Sequence, residues 1–287
     1  MATTVPASFA KLRQNLEVTA LQTVTVSTRQ QNVRDAVKKD FTVVGSFLTG
    51  SYKRSTMIAP LAQADVDVFV VLDASYWKSD GATSLLDSVR RTLLKTYTST
   101  PKISRNGRAV TITFTDFVVD VVPAFNRKGG GYLIPDSPAN RWISTDPTVH
   151  ESVVTNSNKA HNGDLVPVIK MIKGWNREIS HAFRSFYLEL VAVEIFDGVT
   201  LSSDSSAVRY FFDKGRERIK YKVKDPAGFG DQIDPLDSVR TVVDAVSRFD
   251  TAYGRAIKAE TFEREGKTEA AVGEWGKVFG NYFPAYG

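Results

Sequence analysis

The chain of 287 residues contains no cysteine. Disulfides, thiolate nucleophiles and cysteine-held metals are thereby excluded, and the fold has to stand on packing. Histidine is nearly as scarce: His150, His161 and His181 lie at no metal-ligand spacing, so ordinary loop or surface roles are expected for all three. No stretch approaches the run of about eighteen apolar residues that a membrane span needs, and "MATTVPASFAKLRQNL" has no continuous apolar segment of the export type. A cytoplasmic protein with no membrane contact is expected. Neither sign of charge dominates, with 37 Lys and Arg against 32 Asp and Glu. A net charge of +5 is compatible with an anionic partner but is met by many solvated surfaces. Repeats, low-complexity tracts and long charge runs are absent as well.

What is present is a 42% hydrophobic composition, and a length that suits one large bilobal unit or two domains. Phe9, Leu12 and Leu16, then Val33, Ala36 and Val37, recur at helical spacing and predict one long or broken helix over residues 7–39. The strands "FTVVGSFL" and "ADVDVFVVLD" follow. "GATSLLDSVRRTLLKTYTS" reads as an amphipathic helix, and "PKISRNGRAVTITFTDFVVDVVPAF" as strands with an Asn-Gly hairpin turn. "GGGYLIPDSPANRWISTDPTVH" is dense in Gly, Pro, Ser and Asp and is predicted as loop. Beyond it the chain reads mostly as helix: "DLVPVIKMIKGWNREI" with Asp164 as N-cap, "FRSFYLELVAVEIFDG", two more within 203–220 and 234–260, and "TEAAVGEWGKVFG". The boundary between halves is placed at residues 155–163, "TNSNKAHNG".

One short stretch carries the chemistry. In "LTGSYKRSTMIAPLAQADVDVFVVL", Asp65 and Asp67 are two apart in a Val-rich strand and so project to the same face. Two carboxylates that close raise each other's pKa unless a cation joins them. A divalent ion resolves the conflict, and hard Mg²⁺ is commonly shared between one or two carboxylates and substrate phosphates. A third carboxylate is available in "FTDFVVDVVPAF". Asp120, between Val119 and Val121, sits in the more apolar setting and is preferred, with Asp116 as the alternative. Alone, a D-x-D is more often a strand end or an ion-pair partner. Here it is preceded by Gly50-Ser51, where glycine lets the backbone approach a phosphate closely and serine adds a hydroxyl.

Gly50-Ser51, Asp65-x-Asp67 and Asp120 resemble the active-site signature of the polymerase-β-like nucleotidyltransferases. "GSYKRSTMIAPL", "ADVDVFVVL", "VDVVPAF" and "GYLIPD…RWISTDP" are similar, more narrowly, to the bacterial cGAS/DncV-like branch (CD-NTases). The likeness extends into "LVPVIKMIKGWN" and "SFYLELVAVEIF". It implies an α+β, bilobal polymerase-β-like fold. A mixed-sheet catalytic lobe with the N-terminal helix would occupy residues 1–160, and a C-terminal helical lobe residues 161–287 would close the nucleotide cleft.

The resemblance further implies joining of nucleoside triphosphates into a cyclic di- or trinucleotide with release of pyrophosphate, as an antiphage signal read by a separate effector. Asp65 and Asp67 would hold two Mg²⁺ ions, with Mn²⁺ as a substitute, and Asp120 the catalytic one. Ser51 would touch the triphosphate. Lys173 matches a phosphate-contacting lysine, with Lys170 one turn before it, and Ser185 matches a phosphate-contacting serine. Phe186 stands where the animal relatives have a base-stacking tyrosine, so a π-face is kept and a hydroxyl lost. ATP and a second nucleoside triphosphate would be the substrates of a monomeric enzyme, and activation by nucleic acid is not expected without cysteine for a zinc insertion. The rival readings are addition of nucleotides to RNA ends or synthesis of linear oligonucleotides, transfer to a small molecule such as an antibiotic, and a non-catalytic nucleotide-binding sensor. Packing alternatives stand beside several residues: a solvated helix face for Lys170, core for Phe186, packing anchors for Trp142, Trp175 and Trp275, and a base contact or a flexible loop for Tyr132 beside "GGG".

Overall fold

The computed structural model describes residues 3–100 and 102–287, the side chain of Leu21 excepted. The chain forms two compact units, one built on a sheet and one on helices. The sheet unit comprises Val18–Glu151 and the short segment Pro226–Gly230.

The sheet unit starts with helix α2 (Ala20–Val37), which follows α1 (Val5–Leu16) after a break at residues 17–19, so of the long or broken helix expected from sequence the broken alternative is found. Thr19 caps α2 through a reciprocal capping box with Gln22. Strands β1 (Val43–Leu48) and β2 (Asp65–Leu72) flank the single-turn helix α3 (Gly50–Lys53), and helix α4 (Ala82–Thr96) follows. β3 (Lys102–Asn106), β4 (Ala109–Thr113) and β5 (Val118–Asn126) then complete a sheet of order β1-β2-β5-β4-β3. All pairs in that order are antiparallel except β2 with β5, which run parallel. The predicted Asn-Gly hairpin is the β3–β4 turn, with Asn106 opposite Ala109.

The period of two along a strand sorts the side chains. Val66, Val68 and Val70 of β2, Val119 and Val121 of β5, and Val110 and Ile112 of β4 all turn to one face, against Val33 and Val37 of α2 and Leu86, Val89 and Leu93 of α4. Burial of each such side chain is worth about 1.5–3 kcal/mol, which is what holds the helices on that face. The other face carries a smaller cluster of Phe69, Ala109, Val122, Ala124 and Ile134. Asp65, Asp67 and Asp120 have the parity of that second face.

The segment expected as loop contains a hairpin instead: β6 (Tyr132–Asp136) pairs with the end of β5 and with β7 (Arg141–Thr145). Its polar composition hid it. Pairing with β5 stops at Leu133, so Pro135 lies where β6 has a partner on one side only and needs no second ladder donor. Within the segment taken as the boundary between halves, residues 155–160 belong to helix α5 (Pro147–Ala160). The Asn158 side chain of α5 accepts from Val166 N at 2.8 Å and so caps the start of the next helix.

The helical unit comprises the chain up to Glu17, Ser152–Asp225 and Asp231–Gly287. It holds α1, α6 (Leu165–Glu178), α7 (Ser185–Phe196), α8 (Asp204–Arg218), α9 (Val242–Arg264) and α10 (Thr268–Phe279). Helix α1 groups here and not with the sheet, in contrast to the expected partition at residue 160. The reason is aromatic packing: Phe9 meets Trp275 at 5.0 Å, Phe283 at 5.3 Å and Phe279 at 6.0 Å between ring centroids. A second cluster joins Trp175 to Phe183, Phe212 and Phe249, so Trp175 and Trp275 are the packing anchors expected. Asp164 occupies the N-cap position of α6 but makes no capping bond; Arg13 of α1 donates to its Oδ1 from both terminal nitrogens, at 3.1 and 3.2 Å. Conversely, Phe229 lies in the sheet unit, and the Arg127 guanidinium stands 4.5 Å from its ring centroid. Among the described residues no helix is long and apolar enough to cross a membrane.

Candidate active site

Asp67 of β2 and Asp120 of β5 are register partners on adjacent parallel strands. Neighbouring strands lie roughly 4.8 Å apart, so the two carboxylates rise side by side from one face. Asp65, opposite Val118, stands one pleat further along the same face at the start of β2. Asp65 is exposed while Asp67 and Asp120 are half-buried, a gradient from solvent into the sheet.

The turn before β2 reaches back to this face. Thr49 N donates to Asp67 O at 3.0 Å, which ties the end of β1 to the second aspartate. Gly50 follows with φ of +63°, and a Cβ built on it would lie 1.7 Å from Asp67 Oδ2. Only glycine fits, both for its backbone angle and for the carboxylate seated against it. Ser51 O accepts from Thr56 N at 2.9 Å and Met57 N at 3.0 Å, so the "GSYKRST" stretch curls around the residue whose hydroxyl the sequence singled out. Lys53 pairs with Glu151 at 3.4 Å. Gly50→Ala is expected to lower turnover by about 10²-fold, the cost of roughly 1 Å of misplacement at a reacting group. Steady-state kinetics of the purified variant checks this, and native turnover would show that the close approach is dispensable.

Asp120 is held by Thr111 of β4, its register partner on the other side, whose Oγ1 donates to Asp120 Oδ1 at 2.5 Å. Burial pushes the Asp120 carboxyl above the usual carboxylate range; the Thr111 hydrogen bond opposes the rise and the Asp65 charge adds to it. A carboxyl raised in this way binds its proton more tightly in the folded than in the unfolded chain. Its ionisation therefore costs stability as pH climbs from the ordinary carboxylate pKa through the raised one, and the whole cost is present above both. Asp120→Asn is expected to raise Tm at neutral pH on the order of 2 °C, with the gain fading toward acid pH. Thermal unfolding at several pH values reads it; a lower Tm at neutral pH would contradict the account.

The alternative third carboxylate, Asp116, is engaged in an ion pair. Arg29 NH2 donates to both oxygens of Asp116, at 2.8 and 3.0 Å, and its guanidinium stacks 3.9 Å from the Phe114 ring centroid. Asp116 is an ion-pair partner at the turn into β5.

Three carboxylates on one face, two of them in register and one against a glycine turn, suit a hard divalent ion with oxygen ligands. Among the described residues no three acidic or imidazole side chains already converge as a closed cage. The fit therefore rests on the shared face and register of Asp65, Asp67 and Asp120.

The nucleotide-contact residues expected from the second half lie in the helical unit. Lys170 and Lys173 of α6 are both buried, which corrects the solvated helix face considered for Lys170. Lys170 Nζ donates to Glu17 at 2.6 Å, and Lys173 Nζ donates at 3.0 Å to Glu189 of α7, a carboxylate with no exposure. Ser185 and Phe186, half-buried, open α7 one turn before Glu189. Tyr132 packs its ring 5.5 Å from Phe47 and 5.9 Å from Phe69 on the sheet face that carries the aspartates. The ring nitrogens of His161 lie 2.6 and 2.9 Å from the carbonyl oxygens of Ser157 and Phe196. Sequence reasoning passed over Thr111 and Glu189. The alternating threonines of "VTITFT" were a signal for the first, since they put Thr111 on one strand face; Glu189 offered none.

A mixed sheet with this carboxylate arrangement and a helical unit defines a polymerase-β-like nucleotidyltransferase fold. Residues 3–158 match the Second Messenger Oligonucleotide or Dinucleotide Synthetase (SMODS) domain, and the chain belongs to that family. It is accordingly an enzyme, a nucleotidyltransferase of the class that makes oligonucleotide second messengers. A cyclic AMP-AMP-AMP synthase of Acinetobacter is 28% identical over 98% of the chain and 86% of its own length. A probable cyclic nucleotide synthase of Bacillus cereus is 28% identical over 64% of the chain and 58% of its own length. Among solved structures, Escherichia coli CdnC with ATP superposes with a TM-score of 0.71 at 20% identity, covering 98% of this chain and 99% of that one. Vibrio cholerae DncV, a cyclic AMP-GMP synthase, does so at 0.67 and 15% identity, over 97% and 87% of the two chains.

Proposed function

We propose that the chain synthesises a cyclic oligonucleotide from ATP, alone or with a second nucleoside triphosphate, releasing pyrophosphate. The single observation that carries the reading is Asp67 and Asp120 side by side on parallel strands, with Asp65 on the same face and Gly50 packed against Asp67. Asp65, Asp67 and Asp120 would hold Mg²⁺, two ions, with Mn²⁺ able to substitute. Such ions supply charge neutralisation at a triphosphate and activation of an attacking hydroxyl. The chain's own residues would do the rest: Asp120 would accept the proton of a ribose hydroxyl, and the backbone of the Gly50-Ser51 turn, packed against Asp67, would meet phosphate oxygens. Ser185 and Phe186 are proposed as nucleotide contacts and Lys170 and Lys173 as sources of positive charge for phosphates. The relative named as a cyclic AMP-AMP-AMP synthase, which matches nearly the whole chain, favours an all-adenine or adenine-containing ring.

The product would be an antiphage signal read by a separate effector protein, and the enzyme a cytoplasmic monomer that does not depend on nucleic acid. Incubation with each labelled nucleoside triphosphate and Mg²⁺, followed by phosphatase and linkage-specific nuclease, tests the reading. Phosphatase-resistant product that disappears with chelator is expected. Labelled linear chains, or tails on added RNA, would favour the rival activities, and no turnover of any nucleotide would favour a sensor.

A further inference from the structure

The level of the sheet that carries Asp67 and Asp120 continues as a polar row. Asp120 is in register with Thr111, and Thr111 with Ser104. On either side of that row in β4, Val110 and Ile112, the chain neighbours of Thr111, are fully buried in the core beneath the sheet. Thr111 is thus a hydroxyl in register with the third aspartate, set between two core residues.

Its position is tightly set. Threonine is stiff at χ1, and a strand in the middle of a sheet gives its backbone no freedom. β4 is paired on both sides, with β3 and with β5, so the Thr111 hydroxyl is delivered by the sheet itself. A carboxylate, by contrast, turns broadly about its terminal torsion, with two nearly equivalent oxygens. The 2.5 Å bond from Thr111 Oγ1 to Asp120 Oδ1 breaks that equivalence. One oxygen is tied to β4, and the other is the one left for outside groups.

We propose that Thr111 is a positioning residue for nucleotidyl transfer, fixing the Asp120 carboxylate so that Oδ2 is presented to the divalent ion and the attacking hydroxyl. This rests on the reading of Asp120 as the third metal ligand. Partners that orient a metal-bound carboxylate are typically worth 10–100-fold in metal affinity or activity.

The test compares Thr111→Val, which keeps shape and removes the hydroxyl, with Thr111→Ser, which keeps the hydroxyl, and with Asp120→Asn. Mn²⁺ affinity is read by electron paramagnetic resonance in the presence of a non-hydrolysable ATP analogue, alongside kcat and KM for ATP. Thr111→Val is expected to lose roughly 10-fold or more in both Mn²⁺ affinity and kcat, with KM for ATP little changed. Thr111→Ser is expected to stay close to the native protein. Native Mn²⁺ affinity and kcat in Thr111→Val, with Asp120→Asn inactive, would overturn the role of Thr111 and leave the aspartate assignment standing. Thr111→Ser as impaired as Thr111→Val would overturn it too, by showing a packing defect. Native Mn²⁺ affinity and turnover in Asp120→Asn would remove the aspartate assignment and the proposal together. Should Thr111→Val fail to fold, Thr111→Ala removes the same hydroxyl with no new bulk.

Discussion

Replacing Asp65 and Asp67 together by alanine is expected to cut product formation by at least about 10³-fold and to leave the fold in place. Metal-held charge stabilisation is worth several kcal/mol, and each 1.36 kcal/mol is tenfold in rate, so loss of about 4 kcal/mol gives roughly that factor. The fold should tolerate the change because the two side chains alternate with the packing ones. Val66, Val68 and Val70 carry the contribution of β2 to the main core, and they point away from the substituted face. Removing two like charges from one strand face also relieves repulsion. Chromatographic quantification of product at saturating ATP and Mg²⁺, with circular dichroism and thermal unfolding as controls, decides the matter. A folded double variant that keeps a tenth of native turnover would eliminate these carboxylates as the source of catalysis.

The largest expected effect on stability lies in the helical unit. Glu189 has no exposure and Lys173 7%, and their 3.0 Å bond joins α7 to α6. Two charges taken out of water at this cost are tolerable only as a pair, and removing one partner of a buried pair typically costs about 3–5 kcal/mol. Glu189→Ala is therefore expected to lower unfolding stability by about that much, because the buried Lys173 ammonium loses the carboxylate 3.0 Å from it. Pairing the change with Lys173→Met should recover much of the loss. Urea unfolding reads both variants, and a cost of less than about 1 kcal/mol for Glu189→Ala would show that the lysine has an easy alternative partner. The same pair bears on function, since Glu189 sits one turn beyond Ser185 and anchors the start of α7. Lys173 accordingly has a structural task beside the phosphate contact proposed for it. Lys173→Ala with native stability and weakened ATP affinity would put the phosphate contact first.

The parts of the structure visible in the sequence are those set by local period and local chemistry. The alternation of Asp65, Asp67 and the valines marked a strand with one polar face, Asn106-Gly107 marked the hairpin, and the amphipathic spacing of Leu85, Val89 and Leu93 marked α4. The family signature supplied the grouping of those aspartates with Asp120. What stayed hidden depends on partners far away in the chain. Pro135 and the surrounding Gly, Ser and Asp read as loop, yet β6 forms because β5 and β7 offer it edges. Helix α1 joins the distant α10 through Phe9 and Trp275, a contact no local pattern announces. Asp116 and Asp120 look alike in sequence, yet Arg29, 87 residues before Asp116, pairs with the first, while strand register sets the second beside Asp67. Lys170 likewise found Glu17 across 153 residues. The requirement for glycine at position 50 follows from a side chain 17 residues later folding back to within a bond length of where a Cβ would stand.

Crystals grown with Mn²⁺ and a non-hydrolysable ATP analogue, measured at the manganese absorption edge, test the central claim most directly. Anomalous peaks bridged by the carboxylates of Asp65, Asp67 and Asp120 and by phosphate oxygens are expected. Manganese and triphosphate bound elsewhere on the protein, with those three side chains ligating nothing, would contradict it.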